Sequence, residues 1–356
     1  MIAAHADWSI DPRKRWVSLA ERQGARWRVT APRLVDEPMA LAKALLGAGR
    51  PAVLGLDLPL GVPRGFALGR QEEDFPSFLA GLALQPEFFA VSASLETVSP
   101  ARPFYPARGI KGMTRAAHAA ALGLADAAAL SRLCDRATAE RPAGAPVFWT
   151  LGANQSGKAA ISAWRDWLAP ALAAGAPFRL WPFAGGLHEL LDRDRLSLAE
   201  VYPAEALRHL GLRLAGSKRA QAPRLAIASA LHAAMAAWRV DADADLAAAI
   251  ADGFGSDEFI FMRRIARHQA QQEIPAATDH VAFAHFRPGC CQGFKSIQHA
   301  LLLGFETHQG KEHHLPAKRC RVEIRVIAAN DAFFFQAAHP AQAGWRGKTN
   351  PAGQFH

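Results

Sequence analysis

The chain opens on strand-like segments and changes to helical spacing near residue 36. Residues 2–9 are apolar around one acid, Asp7, and read as a strand. Residues 15–22 and 25–35 are rich in β-branched and aromatic side chains with some alternation, and Gly24 between them suits a hairpin turn. Residues 36–49 have helical spacing, with acids at the start and Gly47 and Gly49 at the end. Residues 51–61, "PAVLGLDLPLG", form a continuous apolar run between Pro and Gly, the pattern of a strand buried on both faces. Three strands in a meander, a helix and a buried fourth strand predict a mixed sheet.

The pattern loosens over residues 62–145. A Pro- and Phe-rich stretch leads to helical spacing over 113–124 and 125–140, and the whole reads as an insertion over one end of the sheet. Residues 145–175 predict a short extended piece, a loop and a long helix. Residues 178–186 and 196–207 carry two further strands, and 223–240 and 241–255 are helical. The fold class expected is α/β, a mixed sheet flanked by helices.

Composition divides the chain near residue 258. Before it, 29 Lys and Arg face 26 Asp and Glu; after it, 12 face 6. Most of the net charge of +9 therefore lies in the last quarter and says little about the body. Nine of the 14 histidines also lie there. Residues 259–356 admit three readings: a small appended domain, a disordered basic tail, or a translated segment foreign to the gene, such as a frameshift product. Four cysteines without a C-x-x-C spacing indicate neither a zinc site nor a disulfide framework. No apolar run suggests a membrane span, and an acid and a Trp within the first residues argue against a secretory signal. A cytoplasmic protein is the expectation.

Three acids stand inside apolar runs: Asp7, Asp57 and Glu200. A buried carboxylate needs a partner or a cation. Carboxylate oxygens suit Mg²⁺ or Mn²⁺. Three on neighbouring strands could hold two ions about 3.5–4 Å apart, an arrangement suited to phosphodiester hydrolysis. Each is also explained by a structural acid at a strand end.

Residues 150–160, "TLGANQSGKAA", have the glycine and lysine spacing of a nucleotide-binding loop. Ala159 stands where that loop needs a hydroxyl for Mg²⁺. A glycine-bearing helix cap explains the stretch better. Its backbone N–H groups, with Asn154, Gln155 and Lys158, could instead hold a phosphate of a nucleic acid or another phosphoester. The stretch "ARPFYPARGIKGMTR" interleaves Arg108 and Lys111 with rings, which suits phosphate neutralisation or a solvated loop. His118 and His188 are weaker candidates, as proton shuttles. Asp241, Asp243 and Asp245 suit a helix start, since the Gly and Glu of a Ca²⁺ loop are absent.

Taken together, "HADWS", "GLDLPLGVP", "FWTLGANQSGKAAISAW", "LWPF" and "AEVYPAEALRHLGL" resemble a predicted-nuclease family catalogued as a domain of unknown function, over roughly residues 3–258. The resemblance implies a ribonuclease-H-like mixed sheet over 1–258. It also implies an acidic site on Asp7, Asp57 and Glu200, with Mg²⁺ or Mn²⁺ as cofactor. This sequence departs from the pattern in two places. Ala184 occupies a position where an acid is expected, and the composition changes where an acid-bearing terminal helix should follow, leaving only Asp257 nearby. Without the last acid, the same fold could serve as an inactive nucleic-acid binder or a structural protein. Ribonuclease-H-like sheets also occur in phosphotransferases and ATPases, a further alternative. DNA, RNA and a small phosphoester are all open as substrates.

Overall fold

The computed structural model describes residues 1–254, apart from 110, 140, 152–155 and 219. One mixed sheet organises them. Its strands are β1 (Ile2–Asp7), β2 (Trp16–Gln23), β3 (Arg26–Val29), β4 (Arg33–Leu34), β5 (Ala52–Leu56), β6 (Phe178–Trp181), β7 (Leu196–Glu200) and β8 (Val240–Ala242). Their order is β6-β7-β5-β1-β2-β3-β8, with β4 also paired to β2. The meander β1–β2–β3 is antiparallel, and β5, β7 and β6 run parallel to β1. Gly24 turns between β2 and β3 at φ +60°, a conformation that glycine adopts without strain.

β1 and β5 lie inside the sheet and are buried at every position, so both are apolar almost throughout. Alternate residues feed two cores. Ala4, Ala6, Leu54, Leu56, Leu196 and Leu198 face the first; Ala3, Val53, Ala199 and Val201 face the second. The first core is covered by α1 (Pro38–Gly47), by the insertion and by a long helix. The insertion carries α2 (Arg64–Leu68), α3 (Phe75–Gly81) and α4 (Arg115–Ala121). The long helix runs from α5 (Ser156–Ala163) through a π-helical turn (Trp164–Leu168) into α6 (Ala169–Ala173). After β7 come α7 (Pro203–His209), α8 (Gln221–Ala226), α9 (Ala228–Ala237) and α10 (Ala244–Ala251). Leu231 and Met235 of α9 and Leu246 and Ile250 of α10 seal the second core.

Two expectations are corrected. The helix expected over 125–140 is not formed over its described residues, 125–139; they make two 3₁₀ turns, Ala127–Leu130 and Leu133–Asp135. The first is capped by Asp126, and Arg132 between the turns is drawn into the interior by acids. The helix expected over 223–240 is broken at Ile227 and stops at Ala237, after which Arg239 takes φ +56° and β8 joins β3 in parallel. A three-residue edge strand leaves no period to detect. At 241–255, Asp243 caps α10 by accepting from the Leu246 N–H at 2.8 Å, as expected of a helix start. Asp257 and residues 259–356 lie outside the described residues.

Candidate functional site

Asp7 ends β1, and Asp57 follows the last residue of β5. The register pairs Ala6 with Leu56, and the Asp57 N–H continues the ladder by donating to Ala6 O at 3.1 Å. Asp7 and Asp57 are therefore neighbours across a strand spacing of about 4.8 Å. Asp7 is buried and Asp57 half-buried. Both continue the alternation that points Ala3 and Val53 into the second core. Glu200 ends β7 in step with Leu196 and Leu198, which belong to the first. The structure thus brings Asp7 and Asp57 together on one face and turns Glu200 to the other.

Glu200 meets Arg132, whose side chain is 2 % exposed. Arg132 Nη1 donates to Glu200 Oε2 and Nη2 to Oε1, both at 2.6 Å. Its Nε and Nη2 donate to Asp135 Oδ2 and Oδ1 at 2.7 and 2.9 Å. The Tyr202 hydroxyl lies 3.3 Å from Nη2. Glu200 Oε2 also accepts from the Leu60 N–H at 2.8 Å. Burial alone would lower the Arg132 pKa; Asp135 and Glu200 outweigh it and raise it well above the ordinary value. Burial, reinforced by the charge of Glu200, pushes the Tyr202 hydroxyl well above its usual range, so it stays protonated. Arg141 pairs with Glu205 at 2.8 Å, and Arg208 also pairs with Glu205. Arg132 and Arg141 of the insertion thus tie it to Glu200 of β7 and Glu205 of α7.

The long helix lies against the ends of β1 and β5. Trp8, which follows Asp7, donates from Nε1 to Ser162 Oγ at 3.0 Å. Trp164 Nε1 donates to Pro59 O, two residues past Asp57, at 2.9 Å. Lys158 is exposed in the first turn, one turn before Ser162 and on the same helix face. A Cβ on Gly157 would collide with Val147 O, so this glycine is required by close packing of the helix start on the chain before it. That chain, residues 147–151, belongs to no strand and makes one isolated bridge, Tyr105 to Trp149. A nucleotide-binding loop follows a strand; this one does not. Asn154 and Gln155 lie outside the described residues.

Arg108 and Lys111 are exposed on a segment tied to the same chain: Thr150 donates from N to Tyr105 O at 3.0 Å and from Oγ1 to Pro106 O at 2.7 Å. Arg115 lies over the Trp149 ring at 5.8 Å. Arg108, Lys111 and Lys158 therefore flank one short stretch. His118 is buried, its Nε2 donates to Pro103 O at 2.8 Å, and burial pushes its pKa down, which suits a structural residue. His188 is exposed in a turn after β6.

Arg132, Asp135, Tyr202 and Trp8 were not legible as site residues from the sequence. The one available signal was Arg132 and Asp135, a cation and an acid three residues apart. Among the described residues no three His, Cys, Asp or Glu side chains gather as a metal-binding group, and no helix is long and apolar enough to cross a membrane. Of the three candidate acids, Asp7 and Asp57 are the two that stand side by side. Comparison of the chain with protein-family models, curated proteins and solved structures gives no match.

Proposed function

We propose that this protein hydrolyses phosphodiesters with Mg²⁺ or Mn²⁺ held by Asp7 and Asp57. The observation that carries the reading is their adjacency at the carboxyl ends of two central parallel strands, the end of an α/β sheet where ligands commonly bind. Mg²⁺ is typically held by one or two carboxylates together with waters and substrate phosphates, so a pair suffices for one ion. An ion bound there supplies Lewis acidity and lowers the pKa of water. The strand order β3-β2-β1-β5-β7, with its antiparallel meander, agrees with the ribonuclease-H-like arrangement that the resemblance implies.

The chain's own residues divide the remaining work. Asp7 is held in the sheet's hydrogen-bonded frame, and Asp57, half-buried, is the more accessible of the two. Lys158, Arg108 and Lys111 offer positive charge to substrate phosphates. Glu200 is not counted as a ligand, because Arg132 and the Leu60 N–H occupy its oxygens. That same loss favours the second reading, a nucleic-acid binder of this fold without catalysis.

The test incubates wild-type, Asp7→Asn and Asp57→Asn proteins with labelled DNA and RNA in Mn²⁺ or EDTA. Metal-dependent cleavage that falls about a hundredfold or more in each variant is expected. A folded wild-type protein that takes up no Mn²⁺ and cleaves nothing would sink the reading; nucleic-acid binding without cleavage would select the second.

A further inference from the structure

Glu200 reaches the chain just beyond Asp57. The segment that carries Asp57 onward, "DLPLGVP", is held by hydrogen bonds at two successive residues. Pro59 O accepts from Trp164 at 2.9 Å, and the Leu60 N–H donates to Glu200 at 2.8 Å. Arg132 donates to both oxygens of the Glu200 carboxylate at 2.6 Å. Arg132 is in turn oriented by Asp135, bidentate from the far side. A planar guanidinium suits this, since its fork sets two carboxylates in one plane.

We infer that Arg132 is a positioning residue for the metal pair: through Glu200 it holds the Leu60 N–H and so sets the place of Asp57. This rests on the reading of Asp7 and Asp57 as the cation-binding pair. The same geometry makes the insertion, which supplies Arg132 and Asp135, a part of the site although it contributes no ligand.

The experiment measures Mn²⁺ affinity and amide hydrogen exchange in the full chain for wild type, Arg132→Lys, Glu200→Gln and the double variant. Each single variant is expected to weaken Mn²⁺ binding about tenfold or more, the scale of lost support behind a metal ligand, and the double to add little. The Leu60 and Gly61 amides should exchange faster in Arg132→Lys, while those of β1 and β5 hold. If Glu200 were itself a ligand, Glu200→Gln would abolish binding and Arg132→Lys would leave it unchanged or tighter; that result overturns the inference. Unchanged exchange at Leu60 in Arg132→Lys overturns it as well. If wild type binds no Mn²⁺, the metal reading fails, and exchange at Leu60 alone decides the clamp. Should Arg132→Lys not fold, Tyr202→Phe, which touches the guanidinium more distantly, is expected to give a two- to threefold loss of Mn²⁺ affinity and faster Leu60 exchange; no change in either counts against the clamp.

Discussion

The sheet and the insertion are held together in different ways. In the sheet, each strand is bound to its neighbours by a ladder, and its apolar residues pack in register over two faces. Loss of one contact is shared by many. The insertion has short helices and 3₁₀ turns, and its interior is a knot of rings. Phe88 alone stands edge-on to Phe66, Phe78, Phe89, Phe104 and Phe148 within 6.4 Å. The insertion shares the first apolar core with the sheet, and its buried ion pairing to β7 is made by Arg132. The difference is one of redundancy: ladders repeat a polar contact along each strand, whereas the polar tie to β7 is concentrated at Arg132.

Four outcomes would break or sharpen that contrast. The largest belongs to Arg132→Met, which leaves buried Asp135 and partly buried Glu200 without their cation. A loss of about 3–5 kcal/mol is expected in urea unfolding. Exchange should rise across the insertion before it rises in β1 and β5; a uniform rise would erase the distinction between the two regions. Gly157→Ala comes next. Its methyl would strike Val147 O, and a cost of about 1–3 kcal/mol is expected, because the start of the long helix must shift. A neutral result would mean that this junction is soft.

Asp243→Ala probes the sheet side. Asp243 caps α10 through Leu246 and also accepts from the Ala31 N–H at 3.0 Å. About 1 kcal/mol should be lost, spread over β3, β8 and α10. The smallest effect concerns acidity. His118 is buried in the insertion with its pKa lowered, so the folded state holds it neutral while the unfolded state takes up a proton below about 6.5. Its contribution is present above that pH and is lost as the pH falls through it. Thermal unfolding between pH 7 and 5 should show this slope in wild type and a shallower one in His118→Gln. Equal slopes would remove His118 as the insertion's acid-sensitive point.

Legibility in the sequence follows the same division. β1, β2, β3 and β5, and helix α1 with its glycine-rich end, were readable because period and punctuation agree with the final structure. Residues 125–140 were misread because alanine-rich spacing favours a helix locally, while Arg132 is bound by partners elsewhere. Of the site, Asp7 and Asp57 stood out as acids within apolar runs. Glu200 stood out for the same reason and takes a different part.

The sequence by itself determined which segments pair and pack, and which acids the sheet had to accommodate. It could not state which face each acid takes. A strand buried on both sides is apolar throughout, so its pattern carries no mark of orientation; only the register with its neighbours supplies one. Nor could it join Arg132 to Glu200. That pair lies across a wide separation in the chain and exists only once the insertion closes over the strand ends, where burial makes a matched cation and carboxylate necessary.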